Sequence, residues 1–245
     1  MRRVLLTSVA LLAGVVGAAE PVAFRAEAKV EIDASGRPTK IEASADLPEA
    51  VRTFIEKKVA TWQFAPPSRD GVTGSGVTYL NLGACAVPVA NGYRMAVDFK
   101  GNGPRLAGRP MLPPPRYPPA AQRAGEGAQM VVKWIVEADG RATLEQIERS
   151  DGAKVKRIDH FDKPIREWVA SLRYDPEELA GKAVRTRVVV PVTFSIGDAK
   201  GAGTFKQQLV ERAKQSPECQ LAASKLLDGL QPVAVDSPFK LLKSG

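Results

Sequence analysis

Residues 130–147 read MVVKWIVEADGRATLEQI, and this stretch decides the fold. Met130, Val132, Trp134 and Val136 alternate with Val131, Lys133, Ile135 and Glu137. A period of two with one fully apolar face is the pattern of a strand covered on one side. Asp139-Gly140 is a tight turn, because glycine reaches positive φ without a Cβ clash. Residues 142–147 return as a second strand. Downstream, Phe161, Ile165, Trp168, Val169 and Leu172 fall on one face of a helix. Asp162 is placed to cap that helix with Pro164 in its first turn, and Tyr174-Asp175-Pro176 ends it. Val184, Thr186, Val188, Val190, Val192, Phe194 and Ile196 then share one face of a long strand. The order strand, strand, helix, strand predicts an α+β fold: a small antiparallel sheet with a helix on one face.

Six short features punctuate these elements. They are Tyr117-Pro118 after a Pro-rich lead, Gly125-Glu126-Gly127, Asp139-Gly140-Arg141, Ser150-Asp151-Gly152, Leu172-Arg173-Tyr174-x-Pro176 and Val190-Pro191-Val192-x-Phe194. In this order they resemble the C-terminal domain of the TonB energy-transducer family. Leu172 stands where that family usually has Trp, and Asp151 where a second Ser is common. The resemblance implies a periplasmic module that takes an extended segment of an outer-membrane transporter, or of another envelope protein, as an added strand. Carried onto this chain, the contacts fall on Arg116, Tyr117 and Pro118 and on residues 184–195, in particular Arg185, Arg187, Val188, Val189 and Val190. Two readings stand for each group. Tyr117-Pro118 contacts a peptide or anchors the lead on its own sheet. The arginines meet a partner or protect a strand edge, where charge blocks unwanted pairing. Pro191 lacks an N–H and is expected at an edge.

The first half repeats the pattern in weaker form. Ala28, Val30, Ile32 and Ala34 alternate with polar residues, and Ser35-Gly36-Arg37 matches Asp139-Gly140-Arg141. Asp46-Leu47-Pro48-Glu49 has the form of a capping box with Pro in the first turn. Val51, Phe54, Ile55, Val59 and Trp62 give a helical face, and Trp62-Gln63-Phe64-Ala65-Pro66 matches Leu172 to Pro176. Residues 77–82 would close this unit, and residues 93–99 would add a further strand. The domain reading is therefore a signal peptide over residues 1–19, a degenerate unit over 20–99, a Pro/Gly/Arg-rich linker over 100–119, a TonB C-terminal-like domain over 120–197 and a helical tail over 198–245. The tail is expected to hold helices over 205–214 and 216–229 and to pack Phe239, Leu241 and Leu242 on the body.

Arg2-Arg3, an apolar run to Val16 and Gly17-Ala18-Ala19 describe a secretory signal cleaved after Ala19. The apolar run is short of the about 20 residues of a spanning helix, although an uncleaved anchor remains the alternative. The expected location is the periplasm, with membrane contact at most peripheral once the signal is cleaved. The family's anchor carries a His-bearing motif; the one His of this chain is His160, in the second half. Net charge is +8, and loss of Arg2 and Arg3 with a leader would leave +6. No nucleic-acid motif accompanies that charge. Two cysteines in an exported chain suggest a disulfide, Cys85 to Cys219, with two buried free thiols as the alternative.

No nucleophile elbow, zinc-protease helix, phosphate loop or dinucleotide fingerprint is present. His160 lies beside Asp159 and Asp162, a sequence neighbourhood that suits a capping or surface residue. No catalytic residue, cofactor or metal site is assigned, and an enzyme of unfamiliar type is the weakest reading. The leading expectation is a periplasmic protein-binding module associated with TonB-dependent outer-membrane transport. Its rival is a structural or adaptor envelope protein whose sheet edges are covered internally.

Overall fold

The structure is a computed structural model that describes residues 22–108, 111–149, 159–196, 219 and 232–244. In the first half, β1 (Val22–Ile32) and β2 (Pro38–Ala43) form a hairpin, followed by α1 (Glu49–Val59) and a short β3 (Gln63–Phe64). A small hairpin of β4 (Ser68–Arg69) and β5 (Val72–Thr73) leads into two long strands, β6 (Gly76–Val89) and β7 (Gly92–Gly103), and then β8 (Arg105–Leu106). In the second half, α2 (Pro119–Ala124) precedes β9 (Ala128–Val136), β10 (Ala142–Arg149) and α3 (Asp159–Ser171). After these come β11 (Tyr174–Asp175), a hairpin of β12 (Glu178–Leu179) and β13 (Lys182–Ala183), and β14 (Thr186–Phe194). The tail supplies β15 (Val233–Ala234) and β16 (Leu241–Lys243).

All strand pairs are antiparallel. One sheet runs β13-β12-β6-β1-β2 with β7 also on β6, and the other runs β10-β9-β14-β15. Each buries the apolar face that alternation marks. Ala26, Ala28, Val30, Ile32, Leu80 and Leu82 close on Ile55 and Val59 of α1. Met130, Val132, Trp134, Val188, Val190 and Val192 close on Phe161, Ile165, Trp168 and Val169 of α3. The Trp134 and Trp168 rings meet edge to face at 5.7 Å. Each buried aromatic or branched side chain contributes roughly 1.5–3 kcal/mol by leaving water.

Short strands lace the halves together. β8 pairs with β11, so Tyr174 faces Leu106. β16 pairs with β3, so Phe64 faces Leu241. Hairpin β12–β13 extends the first sheet at Gly76 and Val77 of β6. The Cys85–Cys219 disulfide is formed, with the two Cα atoms 6.0 Å apart and both residues buried.

Several local expectations change. α3 starts at Asp159, so Asp162 lies inside the helix and its carboxylate takes Arg166 one turn on, at 2.7 and 3.2 Å. Pro164 therefore sits in the second turn, where it forgoes the one amide bond that would reach the His160 carbonyl. α1 has Pro48 as its N-cap residue and no side-chain cap, so Asp46 does not act as one. Glu49 in its first turn and Lys57 and Lys58 in its last suit the helix dipole instead. Residues 100–119 are not a bare linker: they finish β7, form β8, and lay Leu112 and Tyr117 on the second core. An extended Pro-rich backbone still offers carbonyls, and Pro113 O accepts a hydrogen bond from Trp168 Nε1 at 2.7 Å. In the tail, Phe239 is buried and Leu241 packs on the first core, while Leu242 is exposed. The signal segment, Ser150-Asp151-Gly152 and the two expected tail helices lie outside the described residues, Cys219 aside.

Candidate functional site

β14 is central to the second sheet's chemistry because β9 covers one of its edges completely, from Thr186 to Phe194. The other edge is set by parity. Arg187 donates its N–H to Asp236 Oδ1 at 2.6 Å and accepts from Val235 N at 3.0 Å, so its backbone groups point away from β9. Alternation then sends the groups of Val189, Pro191 and Thr193 the same way. Pro191 thus wastes no ladder bond with β9, and it is exposed, as an edge proline should be.

The first part of this edge is occupied by the chain itself. β15 pairs at Val188 and Val189, facing Ala234 and Val233. Arg69, from hairpin β4–β5, donates to Arg185 O and reaches Asp236 Oδ2 at 3.1 Å. Residues 232–237 therefore form a strap along β14 from Arg187 to Val189. Past it, among the described residues, no strand pairs with the outward groups of Pro191 and Thr193.

A buried carboxyl locks the strap. Glu177 has no exposed surface. Its Oε1 accepts from Thr78 Oγ1 at 2.6 Å and Ser237 Oγ at 2.7 Å, and its Oε2 from Thr186 Oγ1 at 3.0 Å. Asn102 Nδ2 adds donations to Ser237 Oγ at 2.8 Å and Phe239 O at 3.0 Å. Burial pushes the Glu177 carboxyl above the usual carboxylate range, opposed by these hydrogen bonds.

The residues singled out from sequence divide between several places. Val188 and Val190 are buried in the core, whereas Val189 is half-buried on the opposite face. Arg185 pairs with Glu137 at 2.7 Å, and Arg187 with Glu145 at 2.6 and 2.7 Å on the same outer face. The hydrogen bond and charge of Glu145 hold the Arg187 guanidinium above its ordinary pKa. Tyr117 lies at the far end of β14, its ring 5.4 Å from that of Phe194 and its OH donating to Glu126 O at 2.6 Å. Pro118 is buried beside it and Arg116 is exposed. Glu126 also meets His160 Nδ1 at 3.0 Å. The two arginines thus share a face at one end of β14, and the Tyr-Pro lead anchors the other end. Arg69, Asp236 and the Glu177 cluster were not marked in the sequence. A two-residue strand such as Val233–Ala234 is too short to show a period, and Glu177 lies 99 positions from its partner Thr78.

Among the described residues, no group of three or more His, Cys, Asp or Glu side chains is placed to hold a metal ion, and no helix is long and apolar enough to cross a membrane. Two curated relatives named Protein TonB, from two strains of Xanthomonas campestris pv. campestris, are each 30% identical to this chain over 83 residues. That stretch is 34% of this chain and 35% of each relative, so the chain spans about a third of the length of the curated relatives it matches. The family model for the C-terminal part of the Gram-negative bacterial TonB protein matches from Pro113 to Ile196, the stretch that lays the Tyr-Pro lead, α3 and β14 around one core, and those residues are a domain of the TonB C-terminal family.

Proposed function

We propose that this chain is an exported protein-binding module of the cell envelope, acting in or beside TonB-dependent outer-membrane transport. Its second domain takes an extended segment of a transporter, or of another envelope protein, as a strand along β14. The supporting observation is the state of that edge. It already binds an extended segment, the strap, through Arg187 and Val189, and it continues past the strap through Pro191 and Thr193. A partner strand displaces the strap and takes its bonds. A second reading is favoured by the same covering: an adaptor or structural protein whose closing edge is permanently filled from within.

The two halves are, in this reading, copies of one unit. The support lies in the backbone. Gly36 accepts from Phe64 N at 2.9 Å and Gly140 from Tyr174 N at 2.8 Å. Val30 faces Thr78 in the first sheet and Trp134 faces Val188 in the second, and Ala28–Leu80 corresponds to Val132–Val190. Asp70-Gly71 and Ala180-Gly181 make the same positive-φ turn. The terminal strands are then exchanged: β8 of the first unit serves β11 of the second, and β16 returns to β3.

The test is an amide NMR titration of residues 20–245 with extended peptides from transporter N-termini, in the natural sequence and in Val235→Pro. The substitution removes the donor to Arg187 O and leaves both cores intact. Shifts over residues 187–194 that strengthen in Val235→Pro support the binding reading. No binding in either protein, with well-dispersed spectra, supports the covered-edge reading.

A further inference from the structure

The corresponding hairpins of the two halves are seated differently. β12–β13 continues the first sheet: Glu178 faces Val77, Leu179 faces Gly76, and Ala180 N donates to Ser75 O at 2.8 Å. Hairpin β4–β5 has no such place on β14, because Val235 and Asp236 already take the Arg187 groups. It stands off, and the side chain of Arg69 bridges the gap. The space left is an open cleft of about 420 Å³ between the two hairpins, the start of β14 and the strap.

We propose that this cleft is a docking site for an extended, acidic segment of a partner protein. Its volume falls in the range of built ligand sites, about 300–1,000 Å³. Its walls carry apolar surface from Val72, Ile135 and Val184, with buried Leu179 behind them. Val72 and Lys182 come from β5 and β13, each the last strand of its sheet, so open backbone groups suited to an extended chain lie at the cleft. The charge selects the sign of the occupant. Four cations line the cleft, Arg69, Lys182, Arg185 and Arg187, against two carboxylates, Asp70 and Asp236. Arg69 pairs with both carboxylates, and Arg185 and Arg187 pair with Glu137 and Glu145 outside the lining. Lys182 is exposed and has no carboxylate partner among the described residues. An acidic side chain in the cleft supplies one. The strap forms a wall of this cleft through Asp236, so occupancy requires no displacement of the strap, unlike strand addition to β14.

The experiment is an amide NMR titration of residues 20–245 with the blocked pentapeptide Val-Thr-Glu-Val-Thr, and with its Gln and Lys counterparts at the central position. Saturable shifts at Val72, Lys182, Ala183 and Val184 are expected with the Glu peptide. Gln in the peptide weakens binding about two- to fivefold, Lys182→Glu about fivefold, and added salt weakens it further. Lys163→Glu, on the exposed face of α3, leaves it unchanged. Absence of saturable binding, or equal affinity of Lys182→Glu, overturns the proposal. Shifts confined to residues 187–194 also overturn it, and point instead to addition along β14.

Discussion

Replacing Glu177 by glutamine and by alanine separates the cost of a buried charge from the value of a buried acceptor. The carboxyl is fully buried and faces only hydroxyl and amide donors. Burial raises its pKa above 4.5, so the folded chain holds this proton more tightly than the unfolded chain does. The resulting stabilisation is complete below about pH 4.5 and is lost as the pH rises through the folded pKa. Glu27, pushed up to about 7 by burial, acts with the same sign, so its share of the stability is lost between about pH 4.5 and 7. Gln at position 177 cannot ionise. Its carbonyl still accepts from Thr78 and Ser237, and the Thr186 hydroxyl turns to accept from its amide. Glu177→Gln is expected within about 1 kcal/mol of the natural protein at low pH, and to gain on it as the pH rises to about 8, with the shallower dependence that Glu27 alone leaves. Ala removes the acceptor from the Thr78, Ser237 and Thr186 hydroxyls. At about 1 kcal/mol for each stranded hydroxyl, plus the lost packing, the expected cost is about 3–4 kcal/mol at every pH below neutral. Urea titrations followed by tryptophan fluorescence at about pH 4.5, 6 and 8 measure both, provided the slopes agree. A Gln variant as damaged as the Ala variant, or one with the full natural pH slope, would refute this account of the cluster.

Two further substitutions probe the frame. A Cβ on Gly140, at φ +80°, would lie 2.1 Å from Tyr174 O, and one on Gly36 would lie 2.1 Å from Phe64 O. Gly140→Ala and Gly36→Ala should each cost about 2–4 kcal/mol in urea unfolding. Gly92→Ala meets nothing within 4 Å and should cost only its backbone strain, about 1–2 kcal/mol; equal losses at all three would refute the close approach. Phe239→Ala empties a fully enclosed ring site in the first core and should cost about 3–5 kcal/mol, with faster amide exchange over residues 233–243. Leu242→Ala, at an exposed position, should stay within about 0.5 kcal/mol. If Phe239→Ala proves as mild, the tail is not seated in that core.

What could be read from the sequence was the part governed by local period. Met130 to Val136 and Val184 to Phe194 alternate because one face meets α3 and the other meets water, and the helix between them shows its face at Phe161, Ile165 and Trp168. Glycine at 36 and 140 was legible as a turn, but not as the place where a carbonyl of the next element packs against it. The pairing of Cys85 with Cys219 followed from an even count, not from any feature around either residue. What stayed hidden was non-local. β8 and β16 are two and three residues long, and nothing in Arg105-Leu106 or Leu241-Leu242 names its partner strand. The strap, Arg69 and Glu177 are joined across the halves, so their roles exist only once both sheets are in place. Pro164 illustrates a local rule overruled: the apolar contacts of Phe161 and Ile165 keep the helix running through it.

Under the proposed strand addition, the strap also sets what a partner of β14 must be. It gives up the Arg187 bonds, the two-residue pairing at Val188 and Val189, and the Arg69–Asp236 contact when it leaves. At about 1 kcal/mol for each hydrogen bond and less for the half-exposed ion pair, this amounts to about 3–5 kcal/mol. A free strand that matched only the strap's own length would regain these bonds and do no more than break even, before the entropy of association. The strap has the further advantage of being tethered, at one end by the disulfide at Cys219 and at the other by Phe239 in the first core. A partner therefore gains only by running past Val189 and taking the outward groups of Pro191 and Thr193, which the strap leaves unused. Because Pro191 offers a carbonyl and no N–H there, that extension is held from one side at this position, and its register is fixed by Thr193 beyond it. Under the proposed strand addition, segments that end opposite Val189 should be excluded by the strap and segments about four residues longer accepted, so the covered edge would act as a length filter; failure of both lengths to bind would favour an edge closed from within.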